Sequence, residues 1–286
     1  VFKTERLVSG VAPDWVKRLR PKELPFSAFE ELKAYADKAG IMFLATAHEE
    51  YSADFLNELG MPAFKIGSGE VSNTPYLRHL AKMGKPLIIS TGLHDDAAIQ
   101  QILDLTLECG NKNVALLHCV TAYPTPYNES NLRIIPAMQQ RYSVPVGYSD
   151  HTIGVEVPLA SVALGAVILE KHICLDKKIA GSQDCKVACD RADLKILVAQ
   201  VRNIEAALGS DRKVVAESAK RSIDWARKSL VAKHKLQAGQ RLSIDDIVTK
   251  RPGTGIRPDE LDRAVGKSLR RAMEPDEVIT WDDLNG

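Results

Sequence analysis

Between residues 41 and 170, short apolar runs alternate with longer amphipathic ones. The runs Ile41–Ala45, Ala63–Ile66, Pro86–Ser90, Val114–His118, Val144–Tyr148 and Val167–Glu170 are apolar almost throughout. Such runs mark parallel strands covered on their outer face rather than half-exposed antiparallel ones. Helical periodicity fills the intervals near 50–59, 74–83, 96–109, 130–141 and 155–164 and returns at about 191–208. Ahead of this region Pro13, Pro21 and Pro25 leave residues 1–25 irregular, and Ser27 with Glu30 forms a capping box for a helix over Ala28–Ala39.

Repeated strand–helix units admit an open doubly wound sheet or a closed barrel. An open sheet concentrates its site at one switch point, whereas a barrel gathers residues from every strand at its carboxyl face. Here every strand closes on small or polar residues: Ala45-Thr46, Gly67-Ser68-Gly69-Glu70, Ser90-Thr91-Gly92, His118 with Thr121 and Tyr123, Ser149-Asp150-His151, and Glu170-Lys171-His172. That favours a TIM-type (β/α) barrel over residues 1–208. Such a barrel has about eight strands, so the six counted lead to the expectation that the first two are lacking from this chain. The charged stretch 209–228 reads as a linker. Residues 229–286, with short segments and turns such as Arg251-Pro252-Gly253, read as a second, small domain.

The stretch Val144–His172 runs strand, helix, strand, with a histidine at the end of each strand. If those strands are parallel neighbours about 4.8 Å apart, both imidazoles can converge on one ion at metal–nitrogen distances of about 2.1 Å. The alternative is that each histidine only hydrogen-bonds at a strand end. Asp150 and Glu170 stand nearby as possible orienters of the rings, and imidazoles with open positions suit Mn²⁺, Zn²⁺ or Fe²⁺ better than Ca²⁺.

Lys65 lies inside an apolar strand, where a lysine needs either a carboxylate partner or a bound anion. Gly67-Ser68-Gly69 allows backbone amides to approach a phosphate or carboxylate, and Ser90 and Ser149 add hydroxyls to the same rim. Tyr123-Pro124-Thr125-Pro126-Tyr127 is a stiff loop that holds its tyrosines either for packing or for a ligand. Glu70 and Asp184 are the carboxylates best placed for proton transfer or for binding sugar hydroxyls. Arg251 offers a planar cation on a tight turn.

Composition narrows the partners. Of 286 residues, 45 % are hydrophobic, and the formal net charge of +1 supplies no field for nucleic acid or anionic membrane. No run approaches the ~18 apolar residues of a membrane span, and no signal peptide opens the chain. Five cysteines without a paired scaffold pattern suggest reduced thiols in a cytoplasm, and Cys185 and Cys189 lack the second pair of a zinc ribbon.

FKIGSGE at Phe64–Glu70, ISTG at Ile89–Gly92, LLHCVTAYPTPY at Leu116–Tyr127, GYSDHTIG at Gly147–Gly154 and EKH at Glu170–His172 together resemble the sialic acid synthase family. RPGTGI at Arg251–Ile256 resembles the antifreeze-protein-like (SAF) domain that closes those enzymes. The resemblance runs from about residue 20 to the end, with the motifs in order. It implies a phosphoenolpyruvate-dependent condensation with an N-acylated hexose, typically N-acetylmannosamine, giving a nine-carbon α-keto acid and phosphate. Legionaminic- or pseudaminic-type products belong to the same chemistry. It further implies Mn²⁺ or Mg²⁺ on His151 and His172. Thr46, Lys65, Ser68, Ser90, Thr121 and Ser149 fall where the family binds phosphoenolpyruvate, and Tyr123, Glu70 and Asp184 fall around the sugar. Arg251 matches an arginine that reaches the N-acyl group in the partner of a domain-swapped homodimer. The family's AEIG-like and VKFQ-like strands are absent, and GSQDC at Gly181–Cys185 replaces a GPDH-like run while keeping Asp184. A non-catalytic sugar- or phosphate-binding relative is the alternative expectation; a metal-dependent hydrolase on the same fold suits the lysine-and-hydroxyl rim less well.

Overall fold

The computed structural model describes Lys17 and residues 20–70, 72–179, 182 and 184–285. The irregular start expected for residues 1–25 therefore lies outside the described residues up to residue 16, as do Gly181 and Gln183 of the GSQDC run. The chain divides into two compact units, one ending at Gly209 and the other spanning Ser210–Gly286.

The first unit is a parallel sheet of five strands in the order β1 (Phe64–Ile66), β2 (Leu87–Ser90), β3 (Val114–Cys119), β4 (Val146–Asp150) and β5 (Leu169–Lys171). Neighbours in the sheet are also neighbours in sequence, and every pairing is parallel. The winding never reverses, which gives the curled half of a barrel rather than a doubly wound sheet. The connecting helices are α1 (Phe26–Ala39), α2 (Glu50–Glu58), α3 (Thr74–Lys82), α4 (Asp96–Glu108), α5 (Ile134–Tyr142), α6 (Glu156–Ala163) and α7 (Arg191–Leu208).

Strand alternation divides the side chains by role. Phe64, Ile66, Leu87, Ile89, Val114, Leu116, Val146 and Tyr148 face the helices and form one core with Leu56, Leu77, Leu80, Ile99, Ile102 and Ile135. Each such burial contributes roughly 1.5–3 kcal/mol, so the outer face holds the sheet together. The opposite row carries Lys65, Ser90, Cys119, Ser149 and Glu170, with His151 and His172 one residue past the ends of β4 and β5. Gly147 lies in this row because a Cβ there would come within 2.4 Å of the Ile168 carbonyl.

Two local expectations are corrected. Ile41–Ala45 is not a strand: it has no ladder partner, and Ile41 and Met42 are 67 % and 71 % exposed. An apolar run becomes a strand only where a neighbour takes up its backbone groups. Among the described residues, the sheet therefore has five strands and not six. Helix α1 starts at Phe26 behind Pro25 without a side-chain cap, so Ser27 is not its cap. The start is fixed instead by packing, with the Phe26 ring 4.2 Å from Phe55 and 5.5 Å from Tyr51.

The second unit pairs β6 (Ser229–Ala232) antiparallel with β7 (Ile247–Lys250) over a core of Leu230, Leu236, Leu242, Ile256, Leu269, Met273, Ile279 and Leu284. Capping boxes at Ser243–Asp246 and Thr280–Asp283 begin two of its short turns. Among the described residues, no helix of either unit is long and apolar enough to cross a membrane.

Candidate active site

The register of β4 and β5 sets Asp150 beside Lys171, so the next pair along the ladder is His151 and His172. Their ring centroids lie 5.3 Å apart, and the Tyr123 ring lies 4.1 Å from His151 and 5.6 Å from His172. His151 Nδ1 is 2.7 Å from the Val120 carbonyl. A carbonyl only accepts, so Nδ1 carries the proton and Nε2 keeps its lone pair. Burial holds the His151 imidazole below its ordinary range, against the pull of that carbonyl, and the neighbouring His172 acts in the same direction as burial. A neutral, oriented imidazole beside a second one is a fitting donor pair for a divalent ion. Among the described residues, no group of three or more histidine, cysteine or carboxylate side chains could hold a metal, so these two rings would leave several positions to water or substrate.

Asp150 and Glu170 do not orient the histidines, contrary to expectation. Asp150 faces the helices, where it is fully buried, pairs with Lys171 Nζ and accepts from the Thr152 amide and hydroxyl. Lys171 also donates to the Thr152 carbonyl at 2.8 Å. This buried cluster clamps the backbone on both sides of His151. Glu170 instead belongs to the mouth, where Ser149 Oγ donates to it at 2.6 Å and Lys65 Nζ stands 3.6 Å away.

Lys65 thus has the carboxylate neighbour that a lysine in a strand requires. It also donates to Ser90 Oγ at 2.8 Å and to the Ile66 carbonyl at 3.0 Å. Beside it, the Gly92 amide donates to Ser68 Oγ at 3.0 Å, and Ser68 Oγ lies 3.4 Å from Cys119 Sγ. A Cβ on Gly92 would stand 2.5 Å from Thr121 Oγ1, 2.8 Å from Cys119 Sγ and 3.1 Å from Ser68 Oγ. Four strand ends therefore deliver Lys65, Ser68, Ser90, Thr121 and Ser149 to one cluster. Little in the local sequence marks Gly92 and Cys119. Among ISTG and LLHC, only the missing side chain of glycine hinted at close approach.

The loop that carries Tyr123 is fastened by Thr125, whose amide donates to the His151 carbonyl at 2.9 Å and whose hydroxyl donates to the Ala122 carbonyl at 2.9 Å. Tyr127 OH donates to the Ile153 carbonyl at 2.9 Å and ties down the far end of the loop. Burial, joined by the nearby Cys119, Asp184 and Glu170, pushes the Tyr123 phenol up, so it remains a neutral donor. Asp184 opens a short turn, Asp184–Lys186. Its segment returns alongside β5 through the Cys189 amide, which donates to the His172 carbonyl at 2.8 Å.

Glu70 ends the turn Ser68–Glu70, with its carboxylate 3.3 Å from His48 Nδ1 and 3.0 Å from Asn73 Nδ2. Thr46 is half-buried in the irregular segment before α2. Arg251 belongs to the second unit, where its Nε donates to the Ala226 carbonyl at 3.1 Å and its guanidinium lies 5.7 Å from the Trp225 ring centre. Its turn is fastened by buried Ser229, which donates to the Pro252 carbonyl at 2.6 Å and accepts from the Gly255 amide at 2.8 Å.

Known proteins resemble this chain in sequence and in fold. The chain matches the NeuB family over residues 10–213 and the SAF domain over residues 227–285. It is 41 % identical over 259 residues to the N,N'-diacetyllegionaminic acid synthase of Campylobacter jejuni, covering 90 % of this chain and 77 % of that protein. It is 37 % identical over 262 residues to the human N-acetylneuraminate-9-phosphate synthase, covering 91 % and 72 %. The crystal structure of N-acetylneuraminic acid (sialic acid) synthetase from Leptospira borgpetersenii superposes with a TM-score of 0.70 at 31 % identity, covering 75 % of each chain. The chain belongs to the NeuB family and carries a SAF domain at its carboxyl end.

Proposed function

We propose that this protein condenses phosphoenolpyruvate with an N-acylated hexose, N-acetylmannosamine or a relative of it, to form a nine-carbon α-keto acid and release phosphate. The observation that carries this reading is the juxtaposition of a cationic hydroxyl cluster at Lys65 and Ser90 with a pair of imidazoles on the same rim. The names of the relatives point the same way.

In this reading Lys65 neutralises the phosphate and carboxylate charge of phosphoenolpyruvate, while Ser68, Ser90, Thr121, Ser149 and Thr46 orient its oxygens. Fixing two reactants in one geometry replaces a bimolecular encounter and supplies much of the acceleration. Mn²⁺ or Mg²⁺ held by His151 and His172 would act as a Lewis acid on the carbonyl oxygen of the open-chain sugar. Glu70 and Asp184 accept the sugar hydroxyls, and Tyr123, kept neutral, donates to the same substrate. The methylene carbon of phosphoenolpyruvate bonds to the sugar carbonyl carbon. Water then adds to the former enol carbon, and the bond from that carbon to the phosphate oxygen breaks. Arg251 of one copy reaches the N-acyl group bound by a second copy in a domain-swapped homodimer.

The test is phosphate release from phosphoenolpyruvate with Mn²⁺ and a panel of N-acylated hexoses, including mono- and di-N-acetylated ones. Turnover with one of them is expected. Saturable binding of phosphoenolpyruvate without turnover on any sugar would instead indicate a binding protein and overturn the reading.

A further inference from the structure

The segment before α2 has no regular structure, yet it is pinned on both sides of His48. On one side, Tyr76 OH donates to the Ala47 carbonyl at 2.8 Å, with Ala47 and Tyr76 only 2 % and 3 % exposed. On the other, the Glu49 carboxylate accepts from the Tyr51 and Ser52 amides at 2.8 Å each and caps α2. Burial pushes the Tyr76 phenol well above its ordinary range, helped by the charges of Glu70 and Glu49, so this anchor stays a donor. With Ala47 and Glu49 both held, the backbone at His48 is fixed between two anchors. Its Nδ1 lies 3.3 Å from Glu70 Oε1.

The second oxygen of Glu70 is held as well, by Asn73 Nδ2 at 3.0 Å. A carboxylate offers about four lone-pair sites, so these two contacts leave about two for a ligand while preventing the side chain from rotating. The Glu70 side chain is 20 % exposed and the His48 side chain 39 %. We propose that His48 is a positioning residue: together with Asn73 it clamps Glu70 so that its free acceptors meet two hydroxyls of the sugar. This rests on the proposed condensation for the identity of the ligand, but the clamp itself is a property of the fold.

The test uses the whole chain and the sugar it turns over. His48→Ala should raise KM for the sugar about tenfold while leaving KM for phosphoenolpyruvate within about twofold. His48→Asn, whose amide can still donate to Glu70, should recover most of the loss, and His48→Leu, of similar volume without a donor, should not. Combining His48→Ala with Glu70→Ala should cost no more than Glu70→Ala alone. A sugar KM unchanged in His48→Ala, an equal loss for both substrates, or equal rescue by Leu and Asn would overturn the inference. If the native protein turns over no sugar, the functional reading fails by itself. The clamp is then read from the ¹⁵N resonances of the His48 ring, which should move in Glu70→Ala; resonances that stay in place would overturn it.

Discussion

Lys65 Nζ reaches Ser90 Oγ at 2.8 Å although the strand register places Lys65 opposite Ile88. The lysine therefore leans along the inner face toward the carboxyl mouth, and its charge sits among hydroxyls rather than beneath them. Lys65→Met keeps the apolar stem and removes the charge. The loss of one charge-assisted contact, about 2–3 kcal/mol, should raise KM for phosphoenolpyruvate roughly 30- to 150-fold with little change for the sugar. Steady-state kinetics with each substrate varied in turn is the check.

Gly92 has no room for a side chain, since a Cβ would fall 2.5 Å from Thr121 Oγ1 and 2.8 Å from Cys119 Sγ. Gly92→Ala should displace Thr121 and Ser68 together and weaken phosphoenolpyruvate binding at least about tenfold, while circular dichroism stays native. Calorimetric titration with phosphoenolpyruvate measures it; unaltered affinity would mean the cluster does not receive that substrate.

The imidazole pair makes a separate prediction. Mn²⁺ titrated into the native protein should bind with one ion per chain. His151→Ala and His172→Ala should each lower the affinity by more than the ~10- to 100-fold typical of losing an outer partner. Val120 holds His151 through its backbone carbonyl, so side-chain changes at Val120 should leave metal binding intact.

His118 tests the interior rather than the mouth. Burial holds its imidazole below the ordinary value of 6.5, outweighing the Ser130 carbonyl 2.8 Å away, which favours the charged form. As pH falls through 6.5 the unfolded chain takes up this proton before the native one does. The contribution of His118 to stability is therefore complete above that value and is lost as pH falls toward the native pKa. The melting temperature should drop as pH is lowered below about 6.5, and less steeply in His118→Gln, which keeps a donor without titrating. Parallel slopes in the two proteins would assign the drop to other groups.

Lys171 and Asp150 form a pair whose side chains are 4 % and 0 % exposed. Lys171→Met leaves a buried carboxylate alone and should cost about 3–5 kcal/mol. Restoring most of that stability by adding Asp150→Asn, measured by denaturant unfolding, would show that the uncompensated charge causes the loss.

The fold was legible where a rule acts locally. Apolar runs located all five strands within a few residues, because each is flanked by helices that its own outward side chains bury. The same rule failed at Ile41–Ala45, since apolarity says nothing about whether a ladder partner exists. At the rim, Lys65 and the histidines stood out as polar residues in or beside apolar strands. Sequence distance puts Glu170 near His172, whereas strand alternation and register bring it to Ser149 and Lys65. Gly92, Cys119 and His48 carry no local signal, because each matters through a neighbour more than 20 residues away, and no periodicity carries that information.

The alternation along β4 and β5 sends Ser149, His151, Glu170 and His172 one way and Asp150 and Lys171 the other. Evolution can therefore edit the reactive lining of this cup as though it were a detachable inlay, because the rivets that keep both strands seated are driven in from behind. Exchanges confined to the lining should alter which sugar is accepted long before they unseat the frame.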